Sequence, residues 1–144
     1  MTMEHIARSF KVSFSIRHPD IDPAEISQVI HLTPRRATRI GEPRTTPRGE
    51  PLVGTYECSY WNHEFDVVGA SELGVVLQDL VDRLQSHEKF FRRVVQDGGC
   101  VEMFCAVFAA GNWDEILSHS LMGQLAALQI DLRLDVYPKD DTAV

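Results

Sequence analysis

The apolar residues of this chain keep changing their spacing, and that change restricts the fold more than any other feature. Phe10, Val12, Phe14 and Ile16 alternate with Lys11, Ser13, Ser15 and Arg17, a period of two that predicts a strand with one buried face. Then comes "HPDIDPAEISQVIHLTP". Asp22 stands as N-cap, Pro23 takes the first helical position, and Glu25 stands where a capping box would close. Ile21 and Ile26 occupy the staple positions, Ile26, Val29 and Ile30 form the stripe, and Pro34 ends the helix. A chain that switches in this way between periods of 2 and 3.6 must lay helices on a sheet.

The rest of the chain continues the alternation. "GTYECSYWNHEF" is aromatic-rich and reads as a strand, with residues 37–42, "ATRIGE", as its hairpin partner. From about Ser71 to Gln96 the apolar positions, among them Leu73, Leu77, Leu84, Phe91 and Val94, predict one amphipathic helix stopped by Gly98-Gly99; His87 falls on its stripe. "CVEMFCAVFAA" is apolar on both faces, as a central strand would be. A helix follows, starting at Asn112 or Ser118, with Leu117, Leu121, Leu125 and Leu128 on one side. In the last strand Leu132, Leu134 and Val136 are expected inside. Beyond Pro138, residues 138–144 form an acidic tail expected to fray.

The order is therefore β-α-β-β-α-β-α-β. Its first six elements match the ferredoxin-like split βαβ sandwich, an α+β fold with helices packed on a mostly antiparallel sheet, here with a helix and strand appended. A length of 144 residues, 44% of them hydrophobic, suits one domain over residues 1–144.

The charge is unevenly placed. Arg35, Arg36, Arg39, Arg44 and Arg48 crowd into the Arg/Pro-rich segment 34–51, expected as a long loop. Against Glu42 and Glu50 they make a local +3 in a chain of −7, so the remainder carries −10. So acidic a body argues against nucleic-acid and membrane partners. The first residues lack the apolar core of a signal peptide, so a cytoplasmic location is expected. Cys58, Cys100 and Cys105 have no CxxC spacing, so they are expected as small buried hydrophobes rather than disulfides or metal ligands.

Taken together, "FSIRHPDIDPAEIS", "LTPRRATRIGEPR" with Gly41, "PRGEPLVGTYECSYW" and "LAALQIDLRLDVY" resemble the bacterial family catalogued as domain of unknown function 4279. The resemblance spans nearly the whole chain and implies one small α+β domain with no assigned reaction. Where the family carries Leu-Gly before a proline, this chain reads His31-Leu32-Thr33-Pro34.

Planar guanidiniums suit carboxylate and phosphate, so Arg35, Arg39, Arg44 and Arg48 are candidate anion or partner contacts. Pro43, Pro47 and Pro51 remove backbone donors that a phosphate-cradling loop would use, so side chains alone would do the holding. The competing reading is that these arginines only pair with the acidic body. Trp61 joins the candidates as an aromatic on which arginine can stack; Tyr60, its neighbour, faces the opposite way. His18, Asp20 and Asp22 resemble a ligand trio, but Asp22 is already explained as a cap, and His63, Glu64 and Asp66 lack a zincin's second histidine. No catalytic residue, metal or cofactor is expected. The sequence favours a non-catalytic binding or interaction module with a protein partner and the option of a homodimer. The alternatives are an immunity-type inhibitor of a basic toxin, and an anion-binding protein or enzyme using the arginine segment.

Overall fold

The structure, a computed structural model, describes residues 8–138. In chain order the elements are β1 (Arg8–His18), α1 (Pro23–Ile30), β2 (Arg36–Thr38), β3 (Pro43–Thr45), β4 (Pro51–Thr55), β5 (Ser59–Phe65) and α2 (Leu73–Leu84). A 3-10 turn (Gln85–His87) leads to α3 (Glu88–Gln96), β6 (Cys100–Ala109), α4 (His119–Ala127) and β7 (Ile130–Pro138). Five strands form a mixed sheet in the order β2-β5-β1-β6-β7; β3 and β4 form a separate two-stranded ribbon. Only β6 and β7 pair in parallel within that sheet. The helices supply the apolar layer on one face, where Phe14, Ile16, Trp61 and Met103 meet Leu77 and Phe91 in a single core cluster. None of the described helices is long and apolar enough to cross a membrane.

The α+β class holds, but the strand order departs from the ferredoxin-like one. That arrangement needs the chain to return along the length of its first strand before the next begins. Here α1 has eight residues, about 12 Å of rise, against about 36 Å for the eleven of β1. The chain instead re-enters beside the end it left: Ser59 lies opposite His18 and β5 runs antiparallel to β1. The segment 34–51 is likewise more than a loop, since it contains β2 and β3.

Local signals were realised with adjustments. Asp22 Oδ1 accepts the Ala24 N–H at 3.0 Å and so caps α1. The Glu25 carboxylate does not close a capping box; it takes Arg93 Nη1 at 2.9 Å from α3. The helix ends before Pro34, because His31 adopts a left-handed conformation with φ of 62°. The long helix breaks at Gln85–His87 because no apolar residue occurs between Leu84 and Phe90. The turn re-phases the chain so that Phe90, Phe91 and Val94 are buried. His87 lies half-buried against Phe91 at 6.2 Å, and burial, helped by His31, lowers its pKa. Glu115, from the segment before α4, accepts the Leu73 N–H at 3.0 Å and the Gly74 N–H, capping α2, whose N-cap Glu72 makes no side-chain bond. Ser118 caps α4, so the later of the two expected starts is the real one.

Three expectations about burial need correction. Leu134 and Val136 are 42% and 48% exposed, because helical cover stops near Leu132 and β7 is an edge strand. β6 is fully buried on one face only; on the other Ala106 is buried but Phe104 and Phe108 are half-exposed. Of the three cysteines only Cys105 is buried, and burial pushes its thiol up to about 12. Residues 139–144 of the expected tail, like residues 1–7, lie outside the described residues.

His18 is consumed by structure. Its Nδ1 accepts the backbone N–H groups of Asp20 at 3.1 Å and Ile21 at 3.0 Å, which leaves the ring proton on Nε2. That nitrogen donates to Asp97 Oδ2 at 2.9 Å, tying the β1–α1 turn to the end of α3. The hydrogen bond from His18, with Arg93 adding to it, holds the Asp97 carboxyl below its ordinary value. A lowered folded pKa gives stability that is complete above the ordinary aspartate value and is lost as pH falls through the lowered one. Asp97→Asn is therefore expected to flatten the acid limb of a Tm–pH curve, the two curves converging as pH falls past the ordinary aspartate range. Two curves parallel over the whole range would refute that linkage.

Candidate binding cleft

On the sheet face away from the helices, β1 presents Ser13, Ser15 and Arg17, and β5 presents Tyr60, Asn62 and Glu64. Arg17 lies opposite Tyr60 in the β1–β5 register, with its guanidinium carbon 4.8 Å from the ring centroid. Asn62 Nδ2 donates to Ser15 Oγ at 2.9 Å, fixing the floor beside them.

The ribbon forms the opposite wall. Its foot is Tyr56, whose hydroxyl accepts the Thr45 N–H at 3.1 Å and Arg36 Nη2 at 2.9 Å and donates to the Thr45 carbonyl at 3.2 Å. Arg36 Nη2 also donates to that carbonyl at 3.0 Å. The N–H of Thr45 first, and the Arg36 charge with it, lower the Tyr56 pKa. Arg36 thus joins β2 to the ribbon, while Arg44 Nη1 donates to the Val53 carbonyl at 3.1 Å across the ribbon.

Between these walls lies a cleft of about 690 Å³, lined by Arg17, Arg36, Arg44, Tyr56 and Tyr60 among others. Three arginines line it against one acidic residue, Glu57. A hollow of about 200 Å³ shares Arg17 and Tyr60 and extends it over Asn62, Glu102 and Phe104. Burial pushes the Cys100 thiol at this hollow's edge up, away from thiolate.

The residues singled out from sequence are divided by the fold. Arg44 lines the cleft. Arg35 instead pairs with Glu64 at 2.6 Å and Arg39 with Asp22 at 3.3 Å, both on the protein's own carboxylates. Arg48 is exposed in the turn between β3 and β4. Trp61 faces the helices with no exposed surface, its Nε1 donating to Ser27 Oγ at 3.0 Å, so it is a core residue and the surface aromatic is Tyr60. Sequence reasoning missed Arg17 and Tyr56, and it counted Arg36 in the basic cluster without making it a candidate contact. The alternation of β1 marked Arg17 as outward-facing, but only strand pairing brings it to the arginine segment.

Fold and site define a small α+β module with one sheet face that none of the described helices covers, walled on one side by a basic ribbon. Residues 8–139 match the family described as "Domain of unknown function (DUF4279)", and the chain belongs to that family. No curated protein and no solved structure matches it.

Proposed function

We propose that this protein is a binding module whose cleft receives a carboxylate- or phosphate-bearing ligand. The observation that carries this reading is the convergence of Arg17, Arg36 and Arg44 on one concavity of a chain whose net charge is −7. The basic cleft in an acidic body draws an anion to one place and repels it elsewhere. The lining favours holding over transforming: guanidiniums do not exchange protons at neutral pH, and the Tyr56 hydroxyl is engaged by the ribbon. Tyr60 adds a flat face on which a ligand's planar group can lie beside Arg17.

Titration of the ¹⁵N-labelled protein with pyrophosphate and with citrate tests the reading. Amide shifts are expected to cluster at Arg17, Thr45, Tyr56 and Tyr60. Arg17→Ala and Arg44→Ala should each weaken binding about tenfold, the scale of one charge-assisted hydrogen bond, with little change in Tm. Arg36 is unsuitable for this test because its loss would also unhook the ribbon. Shifts scattered over the surface, or affinities untouched by both substitutions, would overturn the cleft as the site.

A further inference from the structure

β7 is a nine-residue edge strand whose far side has no partner among the described residues, whereas β2, the opposite edge, has three residues. An open edge that long is a template for another strand, and charged side chains, prolines or bulges are the usual means by which such edges reject foreign strands. In β7, "IDLRLDVYP", the charges do not share one sign: Asp131, Arg133 and Asp135 alternate along one face, so they can meet their complements on a second copy of the same strand. On its other face Leu134 and Val136 are 42% and 48% exposed.

We propose that β7 pairs antiparallel with β7 of a second copy, about a two-fold axis at Leu134, joining the two sheets into one. Directly opposed residues of an antiparallel pair point to the same side of the sheet, so the axis must pass through a residue position. Centred on Leu134, the middle of Ile130–Pro138, the strands overlap along their whole length. Arg133 then faces Asp135 of the second copy, and Asp135 faces its Arg133. Leu134 meets Leu134, and Leu132 meets Val136, covering the exposed apolar side chains. The neighbouring registers are worse. An axis at Arg133 sets Arg133 against Arg133 and Asp131 against Asp135; one at Asp135 sets Asp135 against Asp135. An axis at Leu132 again joins Asp131 to Arg133, but over five residues only, leaving Val136 uncovered. The sequence therefore specifies one register by both length and charge.

Sedimentation of the full chain over a range of concentrations, with hydrogen exchange read at residues 130–138, tests the pairing. The wild type is expected to form a dimer, and exchange in β7 to slow as concentration rises. Arg133→Asp or Asp135→Arg alone sets like charges opposite each other twice by symmetry and should weaken the dimer about tenfold or more. The double variant carrying both exchanges restores the opposition and should bind more tightly than the Arg133→Asp single variant, with which it shares the loss of the Arg133–Glu102 pair at 3.3 Å, while circular dichroism shows all three folded. A wild type that stays monomeric overturns the proposal and leaves the edge to a foreign strand. A dimer indifferent to both single variants, or one that the double variant fails to rescue, overturns it equally. If a single variant does not fold, concentration-independent exchange in wild-type β7 decides against it.

Discussion

Gly99→Ala is expected to lower stability by about 3 kcal/mol or more, roughly a 10 °C fall in Tm. The reason is close approach. A Cβ on Gly99 would lie 2.3 Å from the Arg17 carbonyl oxygen and 3.0 Å from both the Val94 carbonyl oxygen and Val94 Cγ1. The first two are backbone atoms at the end of β1 and in α3, so no side chain can swing aside to make room. Relief requires α3 or β6 to move away from β1, loosening the pairing of Arg17 with Cys100. Its neighbour Gly98 has a different role: φ of +96° suits the turn after α3, and a Cβ there would meet only Pro19 Cγ at 3.6 Å. Gly98→Ala should therefore cost about 1–2 kcal/mol, less than its neighbour. Thermal melts of the two variants compare the effects directly; equal losses would mean that the close approach at Gly99 is relieved cheaply.

"Gly98-Gly99" was legible as a helix stop, yet nothing local says that the second glycine is held by a strand 82 residues earlier in the chain. That contrast runs through the whole molecule. Elements are local, and period, caps and glycines disclosed them: Asp22 and Ser118 cap where oxygen side chains precede an apolar stripe. Strand direction is not local. β5 runs antiparallel to β1 because a short helix returns the chain to the same end, a balance of lengths that no single motif encodes. The ribbon was hidden for another reason. Every residue of β4 is exposed, so it has no buried face to produce an alternating apolar pattern. The arginine segment stood out by charge alone, which is why half of what it suggested proved to be Arg35 and Arg39 neutralising the protein's own acids. Arg17 joins Arg36 and Arg44 through the β1–β5 pairing and the fold-back of the ribbon.

Trp61 and Tyr60 provide the sharpest separation of core from site. Trp61→Ala is expected to cost about 3–5 kcal/mol, with a Tm loss of at least 10 °C. The indole has no exposed surface and meets Phe14 edge-on at 6.3 Å. Its N–H supplies the bond to Ser27 that joins β5 to α1. Removing it leaves a large cavity between sheet and helix and strands the hydroxyl partner. Trp61→Phe refills most of that space without the N–H and should lose about a third to a half as much. Tyr60→Ala, one residue away on the opposite face, should leave Tm within a few degrees, since its ring is half-exposed and stacks on Arg17. Binding should show the reverse order. Tyr60→Ala weakens capture of pyrophosphate or citrate several-fold, whereas folded Trp61→Phe binds like the wild type. A tryptophan variant that keeps its stability but loses binding would put the recognition surface on the helical side of the sheet and remove the cleft from consideration.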